Sequence, residues 1–229
     1  MTNNPSTMLI HNARIVNEGN IFTGWVLTEG QFISRVEAGD VPEGISAERV
    51  IDARGKLLLP GVIDTHVHFR DPGLTHKGDM ATESHAAAAG GVTSFIDMPN
   101  TSPATVTVEA LEDKKARASQ VATANYGFFI GATNNNLPTL LSMDYTGCAG
   151  VKVFLGSSTG NMLVNDDNII RRIFAEVPAL IAVHAEDERL IAERRAAVTE
   201  RYGTELEMEF HPVIRNHEVC CRATAAAVE

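Results

Sequence analysis

From Gly61 onward the chain repeats one pattern, a short apolar run followed by a loop and a helical stretch, and this alternation constrains the fold more than any other feature. Residues 62–69, 93–98, 124–130, 151–155 and 180–184 read as strands; 77–89, 108–119 and 166–176 read as helices, with a short turn near 137–141. Strands separated by helices pair in parallel through right-handed crossovers. A spacing of about 30 residues per strand is that of a (β/α) barrel. Five such strands are readable where a (β/α)8 TIM-type barrel closes with eight, and residues 220–229 stop inside a helical pattern.

The first sixty residues differ in kind. Residues 8–16, 24–28, 32–36 and 49–51 read as short strands separated by turn signals such as Asn17-Glu18-Gly19-Asn20 and Glu29-Gly30. The expected division is therefore a small β unit over residues 1–59 and an α/β unit over 60–229. With 229 residues and 44% hydrophobic content the chain can bury a sizeable core. A net charge of -10 argues against nucleic acid and against anionic membranes, since both call for a basic surface. No apolar run approaches the roughly 18 residues of a membrane helix. The first residues lack a basic segment followed by an apolar one, so the expected location is cytoplasmic. Cys148, Cys220 and Cys221 form no Cys-x-x-Cys pair and are expected to be reduced and buried.

Residues able to do chemistry recur where the α/β strands end. The run Val62-Ile63-Asp64-Thr65-His66-Val67-His68 is an apolar strand closing on two histidines one residue apart, and side chains at i and i+2 share a face. Two imidazoles held that way suit a borderline divalent ion such as zinc. A Pro60-Gly61 turn precedes them and Arg70-Asp71-Pro72-Gly73 follows. Asn100 follows the second strand and His184 closes the fifth. Taken singly, each has a plainer reading as a polar strand end; together they mark the C-terminal rim where barrel enzymes keep their chemistry. Lys152, inside the otherwise apolar Gly150-Val151-Lys152-Val153-Phe154, is costly there unless paired or neutralised. Either its stem reaches solvent, or its free amine adds carbon dioxide and becomes a carbamate able to bridge two divalent ions.

The His-x-His, the strand lysine and the later histidine resemble the amidohydrolase superfamily of cyclic amidases. Within it, residues 64–73, Met98-Pro99-Asn100-Thr101 and residues 150–154 resemble dihydroorotases, from about Leu59 to Glu229. Allantoinases carry Asn-Glu at the positions of Arg70-Asp71, and hydantoinases lack the Arg-Asp-Pro-Gly turn. The resemblance implies reversible cyclisation of N-carbamoyl-L-aspartate to L-dihydroorotate, a step of pyrimidine biosynthesis, aided by two divalent ions, expected to be Zn2+. It implies His66 and His68 on the first ion, carbamylated Lys152 as the bridge, His184 on the second ion, and Arg70 with Asn100 on the substrate carboxylate. The implied partner is a small molecule, and a homo-oligomer stays open.

The family also carries a further metal-binding histidine on the next strand and a proton-shuttling aspartate on a later one. Neither has a candidate here, so the sequence reads as the N-terminal half to two-thirds of such an enzyme, expected to be inactive alone. Another cyclic amidase and a non-catalytic binding module are the alternatives.

Overall fold

The computed structural model describes residues 6–156 and 162–229. They fall into two compact units, one ending at Gly61 and one beginning at Val62.

In the first unit, β1 (Thr7–Asn17), β2 (Asn20–Glu29), β3 (Phe32–Ala38), β4 (Arg49–Asp52) and β5 (Leu57–Leu58) form one sheet of order β3-β2-β1-β4, with β5 also on β1. Asn17 pairs with Asn20 across the Glu18-Gly19 turn, where both central residues have positive φ (48° and 78°). Positive φ at both positions matches the twist of the flanking strands, which is why a glycine belongs there. Side chains alternate across the sheet, and each face carries a small apolar cluster, while β3 stays exposed along its length. Leu9, Trp25 and Leu27 pack with Val41, Ile45 and Ala47, while Ala13, Ile15 and Val26 pack with Phe22, Ala53 and Leu58.

The second unit is the expected parallel sheet, strands one to five of a barrel. β6 (Val62–Val67), β7 (Val92–Asp97), β8 (Asn125–Gly131), β9 (Gly150–Phe154) and β10 (Ile181–His184) lie in sequence order. The crossovers are α1 (Met80–Ala89), α2 (Val108–Val121), α3 (Leu137–Ser142) and α4 (Asp167–Glu176). After β10 come α5 (Glu188–Tyr202), a short 3-10 turn, α6 (His211–Ile214) and α7 (His217–Val228). The first helix starts three residues later than its pattern suggests, because the Asp79 carboxylate accepts the amides of Ala81 and Thr82 and sets the N-terminus at Met80. Apolar side chains fill the space between sheet and helices: Phe69, Phe95, Leu111 and Phe128 toward α1 and α2, and Val151, Val153, Leu140 and Ile173 toward α3 and α4.

β6 and β10 are the edges of this sheet, and Val62, Ile63 and Leu180 beside them are more than half exposed. The three cysteines are free thiols, but only Cys148 is even partly covered. Cys220 and Cys221 are exposed because α7 buries Val219 alone. No helix among the described residues is long and apolar enough to cross a membrane.

Candidate functional site

β6 ends at Val67, so His68 stands one residue beyond the strand rather than inside it. Two features end the ladder: the Phe69 amide donates to Asp97 Oδ1 (2.8 Å), and Arg70 adopts a left-handed backbone, φ 63°. The two imidazoles nevertheless come together, with ring centroids 5.3 Å apart.

His68 Nδ1 lies 2.7 Å from Asn100 Oδ1. An amide oxygen can only accept, so Nδ1 carries the proton and Nε2 presents its lone pair. Metal-binding histidines are oriented in this manner, by a second hydrogen bond on the other ring nitrogen. Burial pushes the pKa of both histidines below the ordinary value. Lys152 and His184 add to the depression at His66 against the opposing charge of Asp64; at His68 the Asn100 hydrogen bond opposes it and Arg70 adds to it. Groups from β6, β9 and β10 thus act electrostatically on one imidazole.

Lys152 sits at the centre of β9, level with Gly131 of β8 and Ala182 of β10. Its neighbours Val151 and Val153 point into the helix-facing core. Alternation therefore turns Lys152 and Phe154 to the opposite face, with Nζ 5.2 Å from the Phe154 ring centroid. The residue is only 2% exposed, which counts against the solvent-reaching alternative. Burial alone pushes its amine below the usual lysine range, and among the described residues Nζ has neither a hydrogen-bond acceptor nor a carboxylate. A buried ammonium without an anion is costly, so burial shifts the balance toward the free amine.

His184 ends β10 and is only partly engaged with the others. Its Nε2 lies 2.9 Å from Glu186 Oε2, and Glu186 also receives Arg215 Nε at 3.1 Å. Burial would raise the Glu186 carboxyl, but the bonds from His184 and Arg215 outweigh it and hold it below the usual range. Glu186 was not singled out from the sequence, although its place two residues past a strand-end histidine was the available signal.

Arg70 does not pair with Asp71. That carboxylate is buried and accepts Arg117 Nε and the Met80 amide, each at 3.3 Å. Arg70 Nη1 is buried with no hydrogen-bond partner among the described residues. The turn beyond it is pressed against the loop after β7: a Cβ on Gly73 (φ 82°) would lie 1.7 Å from the Ser102 carbonyl oxygen, so no other residue fits. Arg70, His68 and Asn100 are thereby held on two interlocked loops. Among the described residues no three His, Cys, Asp or Glu side chains converge tightly enough to hold a metal ion. What does converge is the His66-His68 pair, with the Lys152 amine acting on it.

Residues 55–207 match the dihydro-orotase-like family. An L-hydantoinase from Paenarthrobacter aurescens is 31% identical over 224 residues, 94% of this chain and 48% of that protein. An allantoinase from Solibacter usitatus is 34% identical, covering 98% of this chain and 50% of its own. A dihydroorotase from Methanosarcina acetivorans is 33% identical, covering 96% and 46%. The solved L-hydantoinase (dihydropyrimidinase) from Arthrobacter aurescens superposes with a TM-score of 0.87 at 29% identity, over 96% of this chain and 49% of that one. The chain spans about half the length of the curated relatives it matches. On this match, which takes in β6 to β10 together with His66, His68, Arg70, Asn100, Lys152 and His184, the chain belongs to the dihydro-orotase-like family.

Proposed function

We propose that these residues form the metal-binding and carboxylate-binding part of a dihydroorotase site, acting on N-carbamoyl-L-aspartate and L-dihydroorotate. The observation that carries this reading, against the hydantoinase and allantoinase alternatives, is the Nη1 of Arg70 beside His68, buried and without a hydrogen-bond partner among the described residues. A desolvated guanidinium nitrogen is expensive without an acceptor, and its planar fork suits a carboxylate. L-dihydroorotate has a carboxylate on its ring; an unsubstituted hydantoin does not.

In this reading the donors serve two divalent ions, with Zn2+ the expected species, and binding would draw together side chains that do not converge in the metal-free chain. His66 and His68 would hold the first. Lys152, whose depressed pKa raises the fraction of free amine, would add carbon dioxide, release one proton and present two carbamate oxygens. His184 would serve the second ion, Nδ1 being the nitrogen that Glu186 leaves available. When bound, the ions supply Lewis acidity that activates water and polarises the ring amide. The chain's own part is to orient His68 through Asn100, to keep Lys152 away from water and other cations, and to hold the carboxylate with Arg70.

Asn100 can serve both roles, since its amide oxygen accepts from His68 Nδ1 while a substrate carboxylate would take a bond from its Nδ2. The test is ring opening of L-dihydroorotate, hydantoin and allantoin by a polypeptide in which the barrel is complete, with zinc and bicarbonate present. Preference for dihydroorotate that disappears in Arg70→Met supports the proposal. Equal turnover of hydantoin, unaffected by that change, replaces it with the hydantoinase reading.

A further inference from the structure

The buried stripe of α2 consists of Leu111, Lys114 and Ala118, a helical spacing at which the middle position ordinarily takes an apolar residue. Lys114 is fully enclosed, on the helix face that sends Leu111 and Ala118 into the apolar cluster of Phe69, Phe95 and Phe128. Its Nζ lies 2.5 Å from Asp97 Oδ2, whose side chain is equally inaccessible; it donates to the Met98 carbonyl at 2.9 Å and stands 5.1 Å from the Phe128 ring centroid. The carboxylate contact is an ion pair rather than a well-directed hydrogen bond. Replacing such a pair by packed apolar side chains is often neutral or stabilising, so stability by itself does not account for it.

Its connections do. Asp97 Oδ1 accepts the Phe69 amide, next to His68, while Lys114 fixes the carbonyl of Met98, two residues before Asn100. The Met98 amide in turn donates to Val67 O at 2.9 Å. The two paths close on each other in the His68 Nδ1 to Asn100 Oδ1 contact.

We infer that Lys114 and Asp97 are positioning residues that hold the His68 turn and the Asn100 loop in the one register where the two side chains meet, and so fix the tautomer of His68. The functional weight of that tautomer rests on the reading of His68 as a metal ligand. The geometrical claim does not. Side chains of the same size without charge would fill the same volume but leave the Phe69 amide and the Met98 carbonyl unheld.

The experiment uses the 229-residue chain labelled with 15N at histidine, with the His68 imidazole signals assigned through His68→Gln. In the unmodified chain His68 should be the Nδ1-protonated tautomer. Lys114→Met should lower the thermal midpoint, since it leaves Asp97 as an uncompensated buried charge. The double variant Lys114→Met/Asp97→Leu should recover most of that midpoint and still show mixed His68 tautomers, with zinc affinity down at least tenfold. A second variant, Lys114→Gln, keeps a donor of similar size but is too short to serve Asp97 and Met98 together, and should shift His68 partway. Unchanged His68 signals in either folded variant overturn the inference and leave the pair a purely structural element. If the unmodified chain takes up no zinc while the tautomers respond as stated, the metal reading fails and the positioning inference stands.

Discussion

Asn100 and His68 come from the ends of neighbouring strands and meet at 2.7 Å, and this one contact decides which nitrogen His68 offers to its surroundings. Asn100→Leu should release that choice. Loss of a hydrogen bond behind a metal-binding histidine typically costs ten- to a hundredfold in affinity, or about 1.4–2.8 kcal/mol. Zinc affinity of the chain, measured by competition with a chromophoric chelator, should fall by that factor. Asn100→Asp, which still accepts from Nδ1, should keep it. Equal losses in both variants would show that the contact is not what orients the ring.

Lys152 gives a prediction of opposite sign for stability and for metal. Because Lys152 is only 2% exposed and has no carboxylate partner among the described residues, Lys152→Met removes a desolvation penalty and should stabilise the metal-free chain by about 1 kcal/mol, read as a rise in thermal midpoint. The same change should abolish most metal uptake by a barrel-complete protein, and Lys152→Arg should fare no better, since a guanidinium does not add carbon dioxide. Elemental analysis decides the second half: two zinc ions retained per chain in Lys152→Met would end the bridging role.

The fold was legible because alternation of strand and helix is a long-range pattern that survives local error. All five strands of the parallel sheet and three of its four crossover helices stand close to where periodicity puts them, while the fourth, α3, was read only as a turn. The boundaries were not legible, because caps and tertiary contacts set them. Asp79 moves the start of α1, and the Asp97 side chain takes the Phe69 amide that would have extended β6. α5 went unassigned in a polar stretch rich in Arg and Glu, where little periodicity shows. His66, His68, Lys152 and Arg70 could be picked out because each breaks a local expectation. Glu186, Asp97 and Lys114 act through partners 2, 28 and 17 residues away respectively, and a linear reading assigns no partner to a carboxylate or an amine.

Arg70 is separable into its roles in the free and the ligand-bound chain. With Nη1 buried and without a partner among the described residues, Arg70→Met sacrifices no hydrogen bond of that nitrogen there and should leave the thermal midpoint unchanged or slightly higher. Dihydroorotate turnover in a barrel-complete protein should drop by ~2–3 kcal/mol of transition-state binding, the order of a lost charge-assisted pair, with zinc content unaltered. A large fall in midpoint would instead make Arg70 a structural residue with an internal partner.

The metal-free chain should lose stability on acidification through the histidine pair. Both His66 and His68 have folded-state pKa values below the ordinary 6.5, from burial first and neighbouring cations second. Between the folded pKa and 6.5 the unfolded chain binds more protons, so stability rises with pH across that window and levels off above it. Moving from pH 7 toward pH 5 should therefore lower the urea midpoint. In the double variant His66→Gln/His68→Gln, carboxylates and the remaining histidines still titrate, but the slope of midpoint against pH in this window should be shallower. An identical slope in the two chains would mean that neither imidazole is held neutral by the fold, and would remove the electrostatic argument for a preformed ligand pair.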